Sequence, residues 1–274
     1  MYLEKEAIDY FRRYEFYLPV YSIQQGDNRS RIIGHNMEFE QYNPYNPGDN
    51  IRDIDWKVFA RSDKLFVKNY GSDLRSRVRI IIDNSKSMAY GDKLETAKRI
   101  AAIFQHILTN RKNQVFLSVI NDYYSDYERL LVSNLEETLE SIKTIGKTRI
   151  TEIPPLSREA VFLISDLWEK DLDIHTLLRN RINVIHLLTP EETDLSIHGN
   201  FELLDMETQS KVNVIPKDIR DKYRKMIHNR ITEYHKEFTA CGLLYGVFST
   251  DTAYYVNLKK YLEKIKTIKK RGKL

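Results

Sequence analysis

The sequence predicts an α/β protein built in three layers around a mostly parallel sheet, with a β-rich extension at its N-terminal end. Three observations carry that prediction. Runs dense in Val, Ile, Leu and Phe recur at residues 77–83, 114–120, 160–166 and 182–189. Segments with apolar residues at helical spacing separate them, as in Leu94, Ala97, Ile100, Ala101, Phe104, Ile107 and Leu108. Two of the strand-like runs end in an acid, Asp83 and Asp166. Near-continuous apolar strands joined by helices imply crossover units and a sheet covered on both faces. Ligands of such sheets sit at the carboxyl ends of the strands, so the two terminal acids direct attention there.

Each element follows from local pattern. Residues 2–17 predict a short helix, with Leu3, Ala7, Tyr10, Phe11 and Tyr14 on one side. Residues 18–79 hold Gly26, Gly34, Pro44, Pro47 and Gly48 among short alternating runs, which predicts irregular and β structure with turns. Strand 77–83 then leads into helix 92–110, strand 114–120, a second strand at 127–132 and a short helix at 135–145. Strand 160–166, helix 172–180 and strand 182–189 follow. Residues 201–208 and 211–216 read as a hairpin or two short strands. Residues 216–240 form a long amphipathic helix through Ile219, Tyr223, Met226, Ile227, Tyr234 and Phe238. Strand 243–250 and a helix through Leu258, Leu262 and Ile265 finish the chain. Residues 1–76 are therefore assigned to the extension, packed on a main domain at 77–274.

Composition narrows the function classes. The chain has 274 residues, 42% of them hydrophobic, enough for one large domain with a packed core. No apolar run approaches the roughly 18 residues of a spanning helix, and the charged start lacks a signal core. A cytoplasmic protein without a membrane span is expected. A lone cysteine, Cys241, excludes an internal disulfide, and its apolar neighbours suggest an inert buried thiol. Net charge is +4, mild enough that nucleic acid is neither required nor expected. The basic excess is local: residues 259–273 hold eight Lys or Arg, read as a helix end complementing its dipole. The histidines are scattered, with no His-Glu-x-x-His pair.

The chemistry gathers at Asp83, Ser85 and Ser87, an Asp-x-Ser-x-Ser run leaving a buried strand. The carboxylate sits at the strand end, and the turn after it can aim both hydroxyls into the same space. A loop at Gly146, Lys147 and Thr148 and the strand end at Ser165 and Asp166 can join them. Asp83, Ser85, Ser87, Thr148 and Asp166 supply only oxygen, which suits Mg²⁺ or Mn²⁺ rather than zinc. Such a set leaves a coordination place for a partner's carboxylate. The local alternative is that Asp83 caps its turn and the serines make local backbone bonds.

These residues resemble the metal-ion-dependent adhesion site of von Willebrand factor A domains. The flanks resemble one branch, the family called domain of unknown function 58, or DUF58. Gly34, Glu38 and Phe39 carry the likeness, with the stretch Tyr45, Pro47, Gly48, Asp49, Arg52, Asp55 and Trp56, then Ala60 and Arg61. Leu204, Asp205, Glu207, Thr208, Thr250 and Asp251 fit as well, so the likeness runs over about residues 26–265. The resemblance implies a von Willebrand A-like (Rossmann-like) fold and a metal-dependent adaptor. Its expected partners are a MoxR-type AAA+ ATPase and client proteins. This chain departs from the family in the second metal loop, where Arg149 and Ile150 follow Thr148 and Thr151 stands close enough to compete.

Other readings explain less. The run at 48–61, with Arg52, Asp53, Asp55 and Arg61 around Trp56, reads as a scaffold network holding the extension rather than as a site. Asp205 and Glu207 read as hairpin residues, not an acid-base pair. A phosphatase using Asp83 as nucleophile needs an acid two residues on, where Ser85 stands, so the chain is not expected to be an enzyme. Nucleic-acid binding is motivated by Arg75, Arg77 and Arg79 and the Lys-rich tail, yet those arginines alternate as the solvent face of one strand would.

Overall fold

A computed structural model describes residues 1–12, 37–45, 54–72, 77–109, 113–131, 133–156, 159–169, 172–194, 201–204, 211–214 and 216–271. The chain forms two compact units, one of Met1–Gly26 with Ser76–Leu274 and the other Asp27–Arg75. In the smaller unit, β1 (Met37–Pro44) pairs antiparallel with β2 (Phe66–Ser72). The helix α1 (Lys5–Arg12) belongs to the larger unit, and between β1 and β2 in the chain lies the seven-residue helix α2 (Trp56–Ser62). The Asp55 carboxylate caps it by accepting from the Lys57 and Val58 backbone amides at 2.9 and 3.3 Å. The pattern reading of this region as β and turns did not foresee that helix. Its capping acid was the available signal. Trp56 is 58% exposed and Arg61 is exposed, while Arg52 and Asp53 lie outside the described residues, as do Gly34, Pro47, Gly48 and Asp49.

The larger unit begins with α1 (Lys5–Arg12), whose Ala7 and Phe11 are buried in the main core. Its sheet is made from β3 (Arg77–Asp83), β4 (Gln114–Ile120), β5 (Tyr124–Arg129), β6 (Glu159–Ser165), β7 (Ile182–Leu188) and β10 (Tyr245–Ser249). Spatial order is β5-β4-β3-β6-β7-β10. All neighbours are parallel except β4 and β5, which are joined by a tight hairpin and run antiparallel. The helices are α3 (Lys93–Thr109), α4 (Leu135–Ser141), α5 (Ile174–Arg179), α6 (Pro190–Asp194), α7 (Pro216–Ala240) and α8 (Tyr254–Arg271). A separate antiparallel pair, β8 (Phe201–Leu204) with β9 (Lys211–Val214), is the expected hairpin, and Asp205 and Glu207 fall outside the described residues.

The alternation along β3 explains the layers. Val78, Ile80 and Ile82 point into one core with α1, α3 and α8, whose contributions include Ile100, Phe104, Leu258 and Tyr261. Ile81 points into the other, with Leu177 of α5 and Tyr234 and Phe238 of α7. Burying both faces is why the strand is apolar at every inner position except Arg79. Each such side chain contributes roughly 1.5–3 kcal/mol. Strand β3 is flanked by β4 on one side and β6 on the other. Connections leave it in opposite directions, so a crevice opens at the carboxyl ends of β3 and β6. The three-layer α/β class with a mostly parallel sheet, expected from sequence, is the class observed, with one antiparallel strand at the edge. Among the described residues, no helix is long and apolar enough to cross a membrane.

Two expectations are corrected. Cys241 is exposed, in the turn after α7, because its apolar neighbours Leu243 and Leu244 turn inward and it does not. Arg79 does not lie on a solvent face. It is buried among Glu159, Asp126 and Ser118, with contacts of 2.5, 2.5 and 2.8 Å. Arg77 at the strand start is exposed, and Arg75 lies outside the described residues. Replacing Arg79 by Ala would leave the Glu159 carboxylate, whose side chain is 7% exposed, with only the more distant Arg77 at 3.8 Å as an ion-pair partner among the described residues. Urea denaturation of Arg79→Ala is expected to show a loss of about 3 kcal/mol.

Candidate functional site

The site is assembled where β3 ends. Asp83 is fully buried there, and the backbone turns at once into a 3-10 segment, Lys86–Asp92. That turn brings Ser85 back, so its amide donates to Asp83 Oδ1 at 2.9 Å. The loop before β6 delivers Thr148, whose Oγ1 lies 2.9 Å from Asp83 Oδ2 and 2.8 Å from Ser85 Oγ. Ser87 Oγ is 3.0 Å from Ser85 Oγ. From the end of β6, Ser165 donates to Asp83 Oδ2 at 2.6 Å. Loop position is held by backbone bonds from Lys86 N to Gly146 O and from Ile145 N to Asn84 O. Gly146 adopts a φ of +67°, and a Cβ there would meet the Asp122 carboxylate at 2.1 Å.

Asp83, Ser85, Ser87 and Thr148, predicted from sequence, thus converge. Thr148 is buried in the cluster, whereas Thr151 is exposed in the following turn. Arg149 points outward, 3.9 Å from Asp122, so its charge is kept off the cluster.

Asp166 comes to the same rim but is engaged differently. Its Oδ2 accepts from Lys93 Nζ at 2.6 Å, and Lys93 also reaches Glu192 Oε1 at 2.6 Å. Its Oδ1 accepts from the Trp168 amide at 3.2 Å. Lys93 is 0% exposed. Burial opposes its charge, yet Asp166 and Glu192 outweigh burial and hold the ammonium pKa above its ordinary value. Glu192 accepts in addition from the Trp168 indole at 3.1 Å and, through Oε2, from the Thr189 amide at 2.8 Å. The Asp166 backbone carbonyl can only accept, so His186 Nε2 carries the proton to it at 2.9 Å. His186 Nδ1 then accepts from the Tyr245 hydroxyl at 2.7 Å. Burial above all holds His186 neutral, with a pKa pushed down to about 4.

Lys93, Glu192 and His186 were not picked out from sequence as site residues. A signal existed for Lys93: it stands on the same helical stripe as Ala97, Ile100 and Phe104. His186 sits inside a strand that is buried at every position.

Electrostatics distinguish the two acids. Asp166 has Lys93, but among the described residues Asp83 faces no cation. Burial first, and then the charge of Asp166, push the Asp83 carboxyl up to about 6, against hydrogen bonds from Ser165 and Ser85. The donor set suits a hard cation. An octahedron with bonds of about 2.1 Å has edges of about 3.0 Å. The Ser85, Ser87 and Thr148 oxygens are spaced by 2.8 and 3.0 Å. The same spacing serves hydrogen bonds among these side chains.

A family model described as a protein of unknown function, DUF58, matches residues 41–130, about a third of the chain, from β1 through β5. The DUF58 match includes the Asp83 strand and its serines but ends before Thr148 and Asp166. Among solved structures, the chain is similar to the SpRpn10 VWA domain at 17% identity and a TM-score of 0.31, covering 42% of this chain and 76% of that one. It is also similar to a von Willebrand factor type A protein from Catenulispora acidiphila, at 11% identity and a TM-score of 0.36. That match covers 73% of this chain and 43% of the other. A structure titled an uncharacterized membrane spanning protein from Vibrio fischeri matches at 14% identity and a TM-score of 0.23, over 70% of this chain and 98% of that one. These likenesses are distant, and the fold assignment rests on strand order. No curated protein matches the chain.

Two outcomes are expected. A carboxyl whose folded pKa is raised from 3.8 to about 6 costs stability as pH rises between those values, and the cost is fully present above them. At pH 7 with chelator, Asp83→Asn is therefore expected to raise Tm by a few degrees, roughly the shift of 1–2 kcal/mol. His186 has the opposite sign: as pH falls from its ordinary 6.5 toward 4, the unfolded chain takes up a proton that the folded one refuses. Its contribution, full above pH 6.5, should fall by about 2 kcal/mol by pH 5, and His186→Gln should flatten that slope in urea titrations.

Proposed function

We propose that the chain is a protein-interaction adaptor whose grip on its partner depends on a divalent cation, Mg²⁺ or Mn²⁺, held over the end of β3. One observation carries the reading: two chain segments far apart in sequence, the turn at 83–87 and the loop before β6, bring Asp83, Ser85 and Thr148 within bonding distance of one another at the switch point of the sheet. Ser87 completes the oxygen set at its edge, and Asp166 stands behind it. A cation there would supply a positive centre for a carboxylate of the partner, and the chain's residues would orient it and keep one side open.

The surroundings support docking. Tyr123 is 73% exposed and Ile145 60% exposed on the two loops beside the site. Lys147 and Arg149 are exposed on the Ile145 loop, and Lys86 is exposed in the turn after β3. Apolar contact plus basic charge suits an acidic segment of another protein. From the resemblance to DUF58, the partner proposed is a MoxR-type AAA+ ATPase acting on client proteins in assembly or maturation. The hydroxyls that donate to Asp83, from Thr148 and Ser165, are buried, and binding is proposed in place of turnover.

Calorimetry with Mn²⁺ is expected to show one site in the wild type and none in Asp83→Ala. Capture of a purified MoxR-type ATPase should succeed with Mg²⁺ and fail with chelator or with Asp83→Ala. Equal cation binding by the variant, or capture indifferent to chelator, overturns the reading.

A further inference from the structure

Lys93 is a fully buried cation inside a site read as a place for another cation. It is placed there deliberately by the backbone. Gly91 and Asp92 take φ values of +59° and +56° immediately before it, and this turn swings the first residue of α3 under the end of β6. Gly91 is required at its position, because a Cβ would meet the Thr189 Cγ2 methyl at 2.3 Å. The ammonium then bridges Asp166 and Glu192 at 2.6 Å each. Glu192 is in turn fixed by Thr189 and Trp168, so the lysine is locked and not merely adjacent.

Resting on the reading above, we propose that Lys93 is the permanent counter-ion of Asp166. It keeps Asp166 out of the first shell of any bound metal and sets a ceiling on the affinity of the site. A divalent ion would then be held by Asp83, Ser85 and Thr148, with Ser87 beside them, and Asp166 would stay on the ammonium. Two cationic centres sharing one buried pocket repel, and that repulsion weakens divalent binding. A cation held loosely in this way stays exchangeable and leaves more of its charge for an incoming carboxylate.

The test is direct Mn²⁺ titration of the full chain, by calorimetry and by the rise in Tm, for wild type, Lys93→Met, Asp166→Asn and Asp83→Asn. Lys93→Met should bind Mn²⁺ about tenfold more tightly or better, because it removes the repulsion and releases Asp166 as a ligand. Asp166→Asn should stay within about threefold of wild type, whereas Asp83→Asn should lose binding. Since Lys93→Met leaves two buried acids facing one another, Lys93→Met combined with Glu192→Gln is the companion variant if the single one fails to fold. Unchanged or weaker binding in the folded lysine variants, or loss of binding in Asp166→Asn equal to that in Asp83→Asn, overturns the proposal while leaving the metal reading in place. Binding by the lysine variants but not by wild type upholds the role of Lys93 and overturns metal-dependent docking for the native chain. Absence of binding in every protein overturns both.

Discussion

Burying a carboxylate at the end of a central strand costs free energy, and the upper rim of the sheet is organised around meeting that cost at Asp83. A strand end at the switch point is buried by the very layers that make the sheet stable. The acid therefore cannot reach water. Its oxygens are met by one amide and two hydroxyls, from Ser85, Thr148 and Ser165, each arriving from a different stretch of chain. Hydrogen bonds orient the carboxylate but leave its charge without a counter-charge. That remaining imbalance is the physical reason for reading the cluster as a cation site and not as a satisfied turn.

The neighbouring acid solves the same problem within the chain. Asp166 lies one strand over, equally buried, and it has a lysine. The two strand ends thus form a contrasted pair: one acid neutralised for good, one left for something that comes and goes. The His186 imidazole supports the arrangement from below by bonding the Asp166 carbonyl. It adds no charge of its own. Were both acids left without cations, their mutual repulsion in a medium of low polarity would oppose folding. Were both paired by lysines, nothing would remain to attract a metal.

What could be read in advance follows the range of the interactions. Helix and strand identity came from spacing over a few residues, and α3, α7 and the strands β3, β4, β6 and β7 were legible on that ground. The oxygen set was legible because Asp83, Ser85 and Ser87 are close in sequence and Asp166 ends a second strand. The strand order was not, since which strands become neighbours depends on long connections. Lys93 was overlooked because a lysine at a helix start ordinarily faces water, and only its place on the apolar stripe argued otherwise. Arg79 was misread for a related reason: alternation gives the side of a strand, but whether that side meets water depends on Glu159 and Asp126, set far along the chain. Cys241 shows the converse, since apolar neighbours do not bury a residue in a turn.

That cysteine has a practical side. The turn holding it leads into the start of β10, whereas the oxygen cluster lies beyond the opposite ends of the parallel strands. It is the chain's single thiol. A fluorophore or surface tether coupled there would sit at the sheet's other pole, reporting on encounters at the far rim without standing in their way.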